Sequence, residues 1–298
     1  MFRNFAELQS SLSPDNPKTL VVAAAHDKHT LEAVYEAAKI LPMRYILVGD
    51  RAKIVEISRE LGVCPHDGDI IDAVDDAECA RKSIDCIRNG LGNVLMKGLI
   101  ETGTLLKAAL DKESGIRGTG TMSHLAVLEV PGYQHLVSVT DGGMIPHPTL
   151  EQKADIVRNA VEFYHKLGIE KPKVAALAAS ESVNPKMPET MDAAELQAMC
   201  ARNELGECIL EGPLSFDIAV SKESAAIKKH PSSITGEVDI LLVPSVATGN
   251  ILCKGLIYWG GATMAGCVLG AKVPIVLVSR GATAEEKLLS IMLCLKAG

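Results

Sequence analysis

The chain of 298 residues is poor in aromatic side chains, which make up 3% of it, although 47% of its residues are hydrophobic. A core of this composition must consist mainly of Ala, Val, Ile and Leu, which suits parallel strands packed under helices. Few aromatic rings argue against a protein that stacks nucleic-acid bases. The net charge of -7 argues against a general nucleic-acid binder, because such a protein needs a basic face to displace counterions.

Cysteine pairs with metal-site or redox spacing are also missing. None of the eight cysteines forms a CxxC pair with another. Cysteines scattered through a long chain indicate buried hydrophobic side chains in a reducing compartment, rather than a disulfide framework or a zinc site. The N-terminus lacks a signal-peptide pattern, and no uncharged run reaches the ~20 apolar residues that span a bilayer. We therefore expect a cytoplasmic protein without a membrane partner.

Several familiar catalytic motifs are absent as well. The sequence has neither a Walker A motif nor a GxSxG motif. The two histidines of HDKH (26–29) lack a set of carboxylate partners, so we interpret them as part of a solvated turn and expect no metal site. A lone cysteine in NILCKG (250–255) could act as a nucleophile, but no base accompanies it in the sequence.

What the chain does have is an alternation of short apolar runs with amphipathic stretches. Four apolar runs predict strands at 19–25, 45–49, 69–73 and 93–98. Amphipathic stretches between them, such as HTLEAVYEAAKIL and RAKIVEISRELG, predict helices. Short strands alternating with helices predict right-handed βαβ units and a parallel sheet.

The pattern changes after the glycine-rich segment GIRGTGTMS (115–123) and then resumes. HLAVLEV and HLVSVTD are separated only by PGYQ (131–134), which predicts an antiparallel hairpin. A long helix ended by Gly168 follows, and the alternation continues to a final strand, PIVLVS, and a helix from Thr283. The sequence therefore predicts two α/β lobes, one formed by residues 1–118 with 272–298 and the other by residues 119–271.

Three turns that follow predicted strands carry small polar and cationic residues. Ligands of open α/β sheets bind beyond the carboxyl ends of the strands, and helix N-termini suit anions. The candidate binding residues in the first two turns are Lys97, Gly98, Thr102, Gly103, Thr104, Thr248, Gly249, Asn250 and Lys254. In the third turn, Ser279 can donate one hydrogen bond and Arg280 can bind a phosphate through two parallel bonds.

An ordinary structural explanation exists for each of these turns. Thr, Ser, Gly and Asn between a strand and a helix also serve as helix caps. Thr248 is the predicted cap of its helix, and Gly249 is predicted to let a ligand approach the backbone. Three such turns in one chain favour a phosphorylated ligand over capping alone.

Four long segments resemble one known family. SHLAVLEVPGYQHLVSVTDGGMIPHPTLEQKADIVRNAVE, EGPLSFDIAVSKESA, VDILLVPSVATGNILCKGLIY and VPIVLVSRGATAEEKL occur in the order found in the phosphate acetyl/butyryltransferases, with the butyryl enzymes most similar. Members of this family exchange an acyl group between coenzyme A and phosphate. The resemblance implies two α/β lobes with the active site in a cleft between them, like isocitrate and isopropylmalate dehydrogenases.

The resemblance also implies roles for particular residues. Ser279 and Arg280 match a catalytic Ser-Arg pair of the acetyl enzymes. In those enzymes an aspartate is the proposed base for the coenzyme A thiol. This chain has Glu286 at that position, with Glu285 beside it. The acetyl enzymes also use an arginine on the helix after the fourth strand, and in this chain only Lys107 lies near that position. Lysine can bind phosphate through its charge, but it cannot form the two parallel hydrogen bonds of an arginine. Coenzyme A and phosphate would be substrates, with no permanently bound cofactor, in a homo-oligomeric enzyme.

Two kinds of alternative remain open. Within enzymes, the chain could prefer acetyl or another short acyl group, because one methylene changes binding by only ~1–3 kcal/mol in an apolar pocket. A metal-dependent decarboxylating dehydrogenase would need aspartate and arginine clusters that the sequence lacks. Outside enzymes, the chain could bind coenzyme A or phosphate esters without catalysis, since resemblance in fold does not prove activity.

Overall fold

A computed structural model describes residues 2–278 and 282–298 of the chain. The chain folds into two compact units. The N-terminal unit comprises Ala6–Thr119 and Ala265–Gly298, and the central unit comprises Met1–Phe5 and Gly120–Met264. The described helices and strands establish a mixed α/β fold, as predicted. The likeness to isocitrate dehydrogenase stays a prediction.

The N-terminal unit alternates strands with helices from its start. Its elements are α1 (Phe5–Ser10), whose first residue belongs to the central unit, β1 (Lys18–Ala23), α2 (Lys28–Ile40), β2 (Met43–Gly49), α3 (Arg51–Glu60), β3 (Ile70–Asp72), α4 (Asp76–Arg88), β4 (Val94–Lys97) and α5 (Thr102–Ala109). Aspartates form the N-caps of α2, α3 and α4: the side chains of Asp27, Asp50 and Asp75 each accept a backbone N–H three residues on. These caps stabilise each helix start by satisfying an amide that has no partner within the helix.

Parallel pairing dominates the sheet of this unit. Strand β1 pairs with β2 and β4, and β2 pairs with β3, all in parallel. The elements of the central unit follow in the chain. They are β5 (Ser123–Glu129), β6 (Val137–Thr140), α6 (Leu150–Lys166), β7 (Lys173–Leu177), α7 (Pro188–Ala201), β8 (Ile209–Leu214), α8 (Phe216–Val220), α9 (Lys222–Lys228), β9 (Ile240–Leu242) and α10 (Val246–Tyr258).

The last elements return to the N-terminal unit. They are β10 (Thr263–Leu269), which begins in the central unit, β11 (Ile275–Val276) and α11 (Ala284–Ala297). Strand β11 pairs in parallel with β4 and antiparallel with β10. The predicted final strand over 274–279 was too long, because only two of its described residues keep ladder geometry.

The central unit contains the predicted hairpin. Strands β5 and β6 are antiparallel and joined through residues 131–134, so the prediction is confirmed. The remaining strands of the unit pair in parallel in the order β6-β9-β7-β8. The carboxyl ends of β6, β7 and β9 therefore lie at one edge of this sheet, where residues 141–149 and the start of α10 follow β6 and β9.

The core is aliphatic, as the composition predicted. In the central unit it includes Leu128, Val139, Ala175, Ile218 and Leu241, all at most 1% exposed. Among the described residues, no helix is both long and apolar enough to cross a membrane.

Candidate functional site

The start of α10 follows β9 through Pro244 and Ser245. The Ser245 side chain accepts the backbone N–H of Thr248 at 3.4 Å, and the two hydroxyl groups lie 3.0 Å apart. Ser245 is thus the N-cap, and the prediction that Thr248 caps this helix is wrong. The difference arises because the helix begins three residues earlier than predicted, which leaves Thr248 and Asn250 exposed in its first turns.

Gly249 is needed for contact with protein rather than with a ligand. A Cβ atom at this position would lie 2.7 Å from the Cα of Gly142 and 2.9 Å from Cγ2 of Val243. The expected space for a ligand at the Gly249 backbone is therefore filled by the loop after β6. The same loop also accepts a hydrogen bond from the first turn of α10, because the Pro146 carbonyl oxygen accepts the N–H of Val246 at 3.3 Å.

Asp141 organises this loop and was not among the residues predicted from the sequence. Its carboxylate accepts the backbone N–H groups of Gly143, Met144 and Ile145 at 2.9–3.1 Å. It also accepts the N–H of His124 at 3.3 Å, and Asp141 itself is only 2% exposed. An aspartate followed by two glycines at a strand end is a sequence signal for such a turn, because Asp side chains bind nearby backbone amides.

His124 lies beside Asp141 at the start of β5. A Cβ atom on Gly143 would come within 2.9 Å of the His124 ring, so the glycine lets the loop pass against the imidazole. The Nδ1 atom is buried and has no hydrogen-bond partner among residues 2–278 and 282–298. Burial lowers the pKa of His124, and the nearby Asp141 carboxylate opposes that shift only in part. Burial of the ring therefore favours the neutral imidazole.

An ion pair between a buried lysine and a half-buried aspartate lies at the same edge of the central sheet. Lys153 in α6 is 6% exposed, and its Nζ donates to Oδ2 of Asp192 in α7 at 2.6 Å. Both side chains line a small cavity together with Leu242 and Pro244, at the carboxyl end of β9. The pair thus links α6 to α7 next to the chain that leads into α10.

Cys253 is a poor nucleophile in this structure. It is one of the two buried residues of α10. Burial raises the pKa of its thiol to about 12, so hardly any thiolate exists at neutral pH. Lys254, by contrast, is exposed on the same helix.

In the N-terminal unit, the turn between β4 and α5 holds the other predicted binding residues. Lys97 Nζ donates to the carbonyl oxygens of Gly98 and Ile100 at 3.0 and 2.9 Å. A Cβ atom on Gly98 would collide with the backbone oxygens of Ala24 and Ala23, the latter at 2.7 Å. Both residues therefore shape the turn itself.

Helix α5 begins at Thr102, where a helix start was predicted. Its N-cap, Glu101, makes no side-chain capping bond to the helix. Thr102 and Thr104 are half-buried, while Gly103 and Lys107 are exposed. The candidate residues thus fall into two local groups, one around α5 and one around α10.

Of the third predicted turn, the structure describes only the residues from 282 onward, which lead into α11. Ser279 and Arg280 lie outside the described residues. Glu286 belongs to a capping box at the start of α11, in which its Oε2 accepts the Thr283 N–H at 2.7 Å and Thr283 Oγ1 accepts the Glu286 N–H at 3.1 Å. Glu285 is exposed. Glu286 thus has a capping role that was not predicted from the sequence.

The described part of the chain contains no group of three His, Cys, Asp or Glu side chains that could hold a metal ion. The candidate binding residues are instead small polar side chains and lysines at strand ends, which can bind anions through hydrogen bonds and charge.

Known proteins resemble this chain over nearly all of its length. A model of the family described as phosphate acetyl/butaryl transferase matches residues 76–295. The chain is 42% identical over 280 residues to the probable phosphate butyryltransferase of Bacillus subtilis (strain 168), covering 94% of this chain and 93% of the relative. It is 39% identical over 289 residues to the phosphate acetyltransferase of Thermotoga maritima, covering 97% and 98%.

A solved structure is similar as well. A branched-chain phosphotransacylase from Enterococcus faecalis V583 superposes with a TM-score of 0.82 at 33% identity, covering 94% of this chain and 98% of that chain.

Proposed function

Since the chain belongs to the phosphate acetyl/butyryl transferase family and is a phosphate acyltransferase, we propose that it converts butanoyl-CoA and phosphate reversibly into butanoyl phosphate and coenzyme A. The 42% identity to the probable phosphate butyryltransferase of Bacillus subtilis carries the choice of acyl group. The 39% identity to an acetyltransferase keeps acetyl as the second candidate.

The proposed reaction is direct acyl transfer in a ternary complex. A phosphate oxygen attacks the thioester carbonyl, and the tetrahedral oxyanion collapses with loss of the coenzyme A thiolate, which takes up a proton. Because both substrates are held together, no acyl-enzyme is required. Cations and hydrogen-bond donors neutralise the phosphate and the oxyanion, so we propose that no metal is required.

Ser279 and Arg280 are the proposed donors to the reacting groups. A positioned donor to an oxyanion is worth roughly 2.7–4 kcal/mol in measured cases. Arg280 would bind phosphate through two parallel bonds. Glu286 is the proposed base for the thiol when coenzyme A attacks butanoyl phosphate, and its capping bond to Thr283 uses Oε2.

The two groups of polar residues are the proposed substrate contacts. In the N-terminal unit these are Lys97, Thr102, Thr104 and Lys107, and in the central unit they are Thr248, Asn250 and Lys254. Exposure of Lys107, Thr248, Asn250 and Lys254 supports direct contact with anionic substrates. Gly98 and Gly249 would contribute indirectly, because each lets two backbone segments meet closely.

The test is phosphate-dependent release of free thiol from a series of acyl-CoA substrates, followed spectrophotometrically with a chelator present. We expect kcat/KM for butanoyl-CoA to exceed that for acetyl-CoA by at least about tenfold, because butanoyl has two more methylenes than acetyl and a single methylene in an apolar pocket is already worth about that much. The reverse order would assign the acetyl reaction. Binding of butanoyl-CoA in calorimetry without turnover would favour the non-catalytic binder, and loss of turnover with the chelator would contradict the metal-free reaction.

We also propose that the enzyme is a homo-oligomer. Helix α10 supports this, because Ile251 and Tyr258 on it and Trp259 after it are 71%, 79% and 95% exposed. Large apolar side chains grouped in this way favour burial against another chain. Light scattering on the wild type and on Trp259→Ser should show an oligomer that the substitution weakens, and a wild-type monomer at micromolar concentration would contradict the proposal.

A further inference from the structure

Two cysteines meet at the connection between α7 and β8. Cys200 lies in the last turn of α7, and Cys208 directly precedes β8. Their Sγ atoms are 3.6 Å apart, and the Cys200 thiol donates to the Cys208 carbonyl oxygen at 3.5 Å. This sulfur–sulfur contact brings together two partly exposed thiols, which a small reagent can reach.

The other cysteines differ from this pair in exposure. Cys64 is exposed, whereas five are buried, namely Cys79, Cys86, Cys253, Cys267 and Cys294. Cys267 and Cys294 also lie beside each other, but both are 0% exposed. Cys200 and Cys208 are therefore distinguished by having both a neighbouring thiol and access to solvent.

We propose that Cys200 and Cys208 form a site of reversible oxidation, in which a low-molecular-weight disulfide converts them into an intrachain disulfide that joins α7 to β8. A disulfide needs an S–S distance of about 2.05 Å, so the sulfurs must approach by about 1.5 Å. Rotation of partly exposed cysteine side chains can supply such a shift without movement of the helix axis.

The surrounding contacts hold the two backbone segments in place for this bond. Gln197, one turn before Cys200, accepts the N–H of Gly212 in β8 at 2.9 Å. At the end of α7, the Arg202 guanidinium donates to Glu195 and Glu204 at 2.9 and 2.6 Å. The thiols are thus presented by a turn that is already fixed at both of its ends.

The reaction proceeds by two thiol–disulfide exchanges. The Cys200 thiolate attacks one sulfur of the small disulfide, forming a mixed disulfide and releasing one small thiol. The Cys208 thiolate then attacks Sγ of Cys200, releasing the second small thiol. The two cysteines lose two protons and two electrons, and one small disulfide is reduced to two thiols, so the exchange balances.

The order of the two steps follows from the surroundings of Cys208. Burial, with Cys200 beside it, raises the pKa of the Cys208 thiol to about 12. Cys208 is therefore protonated at neutral pH and a poor first nucleophile, since the thiolate is the attacking species. Its role is to resolve the mixed disulfide on Cys200. Once Cys200 is in that disulfide its thiol no longer raises the pKa of Cys208, and the attack of the Cys208 thiolate is intramolecular.

The experiment uses the full chain and oxidised glutathione. After incubation, free thiols are blocked with N-ethylmaleimide, and tryptic peptides are analysed by mass spectrometry. We expect peptides joined through Cys200 and Cys208 to exceed glutathione-bearing Cys200 by at least about tenfold, because a neighbouring thiol acts at an effective concentration of ~mM or more. Trypsin cleavage after the exposed Arg202 should leave fragments that separate only after reduction.

Cys208→Ser is the matched control, because it removes the resolving thiol and leaves Cys200 in place. In this variant the glutathione adduct on Cys200 should accumulate, while Cys64 reacts as in the wild type. Equal, stable glutathione adducts on Cys200 in both proteins, or modification of Cys64 alone, would overturn the proposal.

Discussion

The starts of α10 and α11 both follow a strand and both carry small polar residues, but different parts of the chain build them. At α11 the cap is local, since Thr283 and Glu286 bind each other's backbone N–H groups. At α10 the cap by Ser245 is joined by a distant loop, whose Pro146 carbonyl and Gly142 backbone contact Val246 and Gly249. A helix start can thus be completed by its own residues or by a segment about a hundred residues away.

This difference changes what a substitution at each helix start can reveal. At α11 Glu286 can be replaced by Gln, which keeps the capping box, so its effect on the reaction rate can be separated from its effect on stability. At α10 the residues that position the helix lie in another segment, so loss of the loop should disturb the helix without changing its own sequence.

The largest expected effect is on the rate at α11. Glu286→Gln should lower the rate of coenzyme A attack on butanoyl phosphate by roughly 10²–10⁴-fold, as expected for loss of a general base. Gln also completes a capping box, so the free energy of unfolding should stay within about 0.5 kcal/mol of the wild type. The rate defect should shrink as the pH approaches the thiol pKa of about 8.5, where thiolate forms without help.

Glu285→Gln is the matched control, because the neighbouring residue of the same helix turn points about 100° away. It should leave the rate close to that of the wild type. Near-normal rates for both variants across the pH range would mean that neither glutamate is the base.

The next effect concerns the loop that supports α10. Asp141→Ala removes the acceptor of four partly buried backbone N–H groups, and a donor left unsatisfied by the protein costs up to about 1–3 kcal/mol when it is buried. We expect the free energy of unfolding, measured by urea denaturation, to fall by at least about 3 kcal/mol. Asp141→Asn should lose less, because one side-chain oxygen can still accept the N–H groups of Gly143 and Met144.

If the free energy of unfolding of Asp141→Ala were within about 0.5 kcal/mol of the wild-type value, the loop would not depend on this carboxylate. The contrast between a locally and a distantly built helix start would then lose its main support.

The smallest effect compares two glycines of α10. Gly249→Ala should lower the free energy of unfolding by about 1–3 kcal/mol, because the new methyl group collides with Gly142. Gly255→Ala should raise it by about 0.5–1 kcal/mol, since no atom lies within 4 Å of a Cβ atom there and alanine favours the helix. Chemical denaturation of both variants would decide, and effects of equal sign would contradict the contact.

The sequence predicted the alternating α/β pattern, the β5–β6 hairpin and the start of α5, because each depends on neighbouring residues. It missed the role of Asp141, whose partners include His124 on another strand. It also assigned the cap of α10 to Thr248 instead of Ser245, since both residues are good caps and only the backbone decides where the helix begins.

The site could be predicted less well than the fold, because its geometry depends on contacts between residues that are far apart in the sequence. Gly249 was expected to face a ligand, and Gly142 occupies that position from a distant part of the chain. Polar pairs between helices, such as Lys153 with Asp192, depend on which helices pack together, and no spacing in the sequence indicates that.

In the proposed reaction the acyl group passes directly between coenzyme A and phosphate. The most direct measurement is isotope exchange between butanoyl-CoA and labelled free coenzyme A, with and without phosphate. Direct transfer predicts no label in butanoyl-CoA without phosphate and rapid exchange once phosphate is added, because butanoyl phosphate must form first. Rapid exchange in the absence of phosphate would reveal an acyl-enzyme and contradict the account.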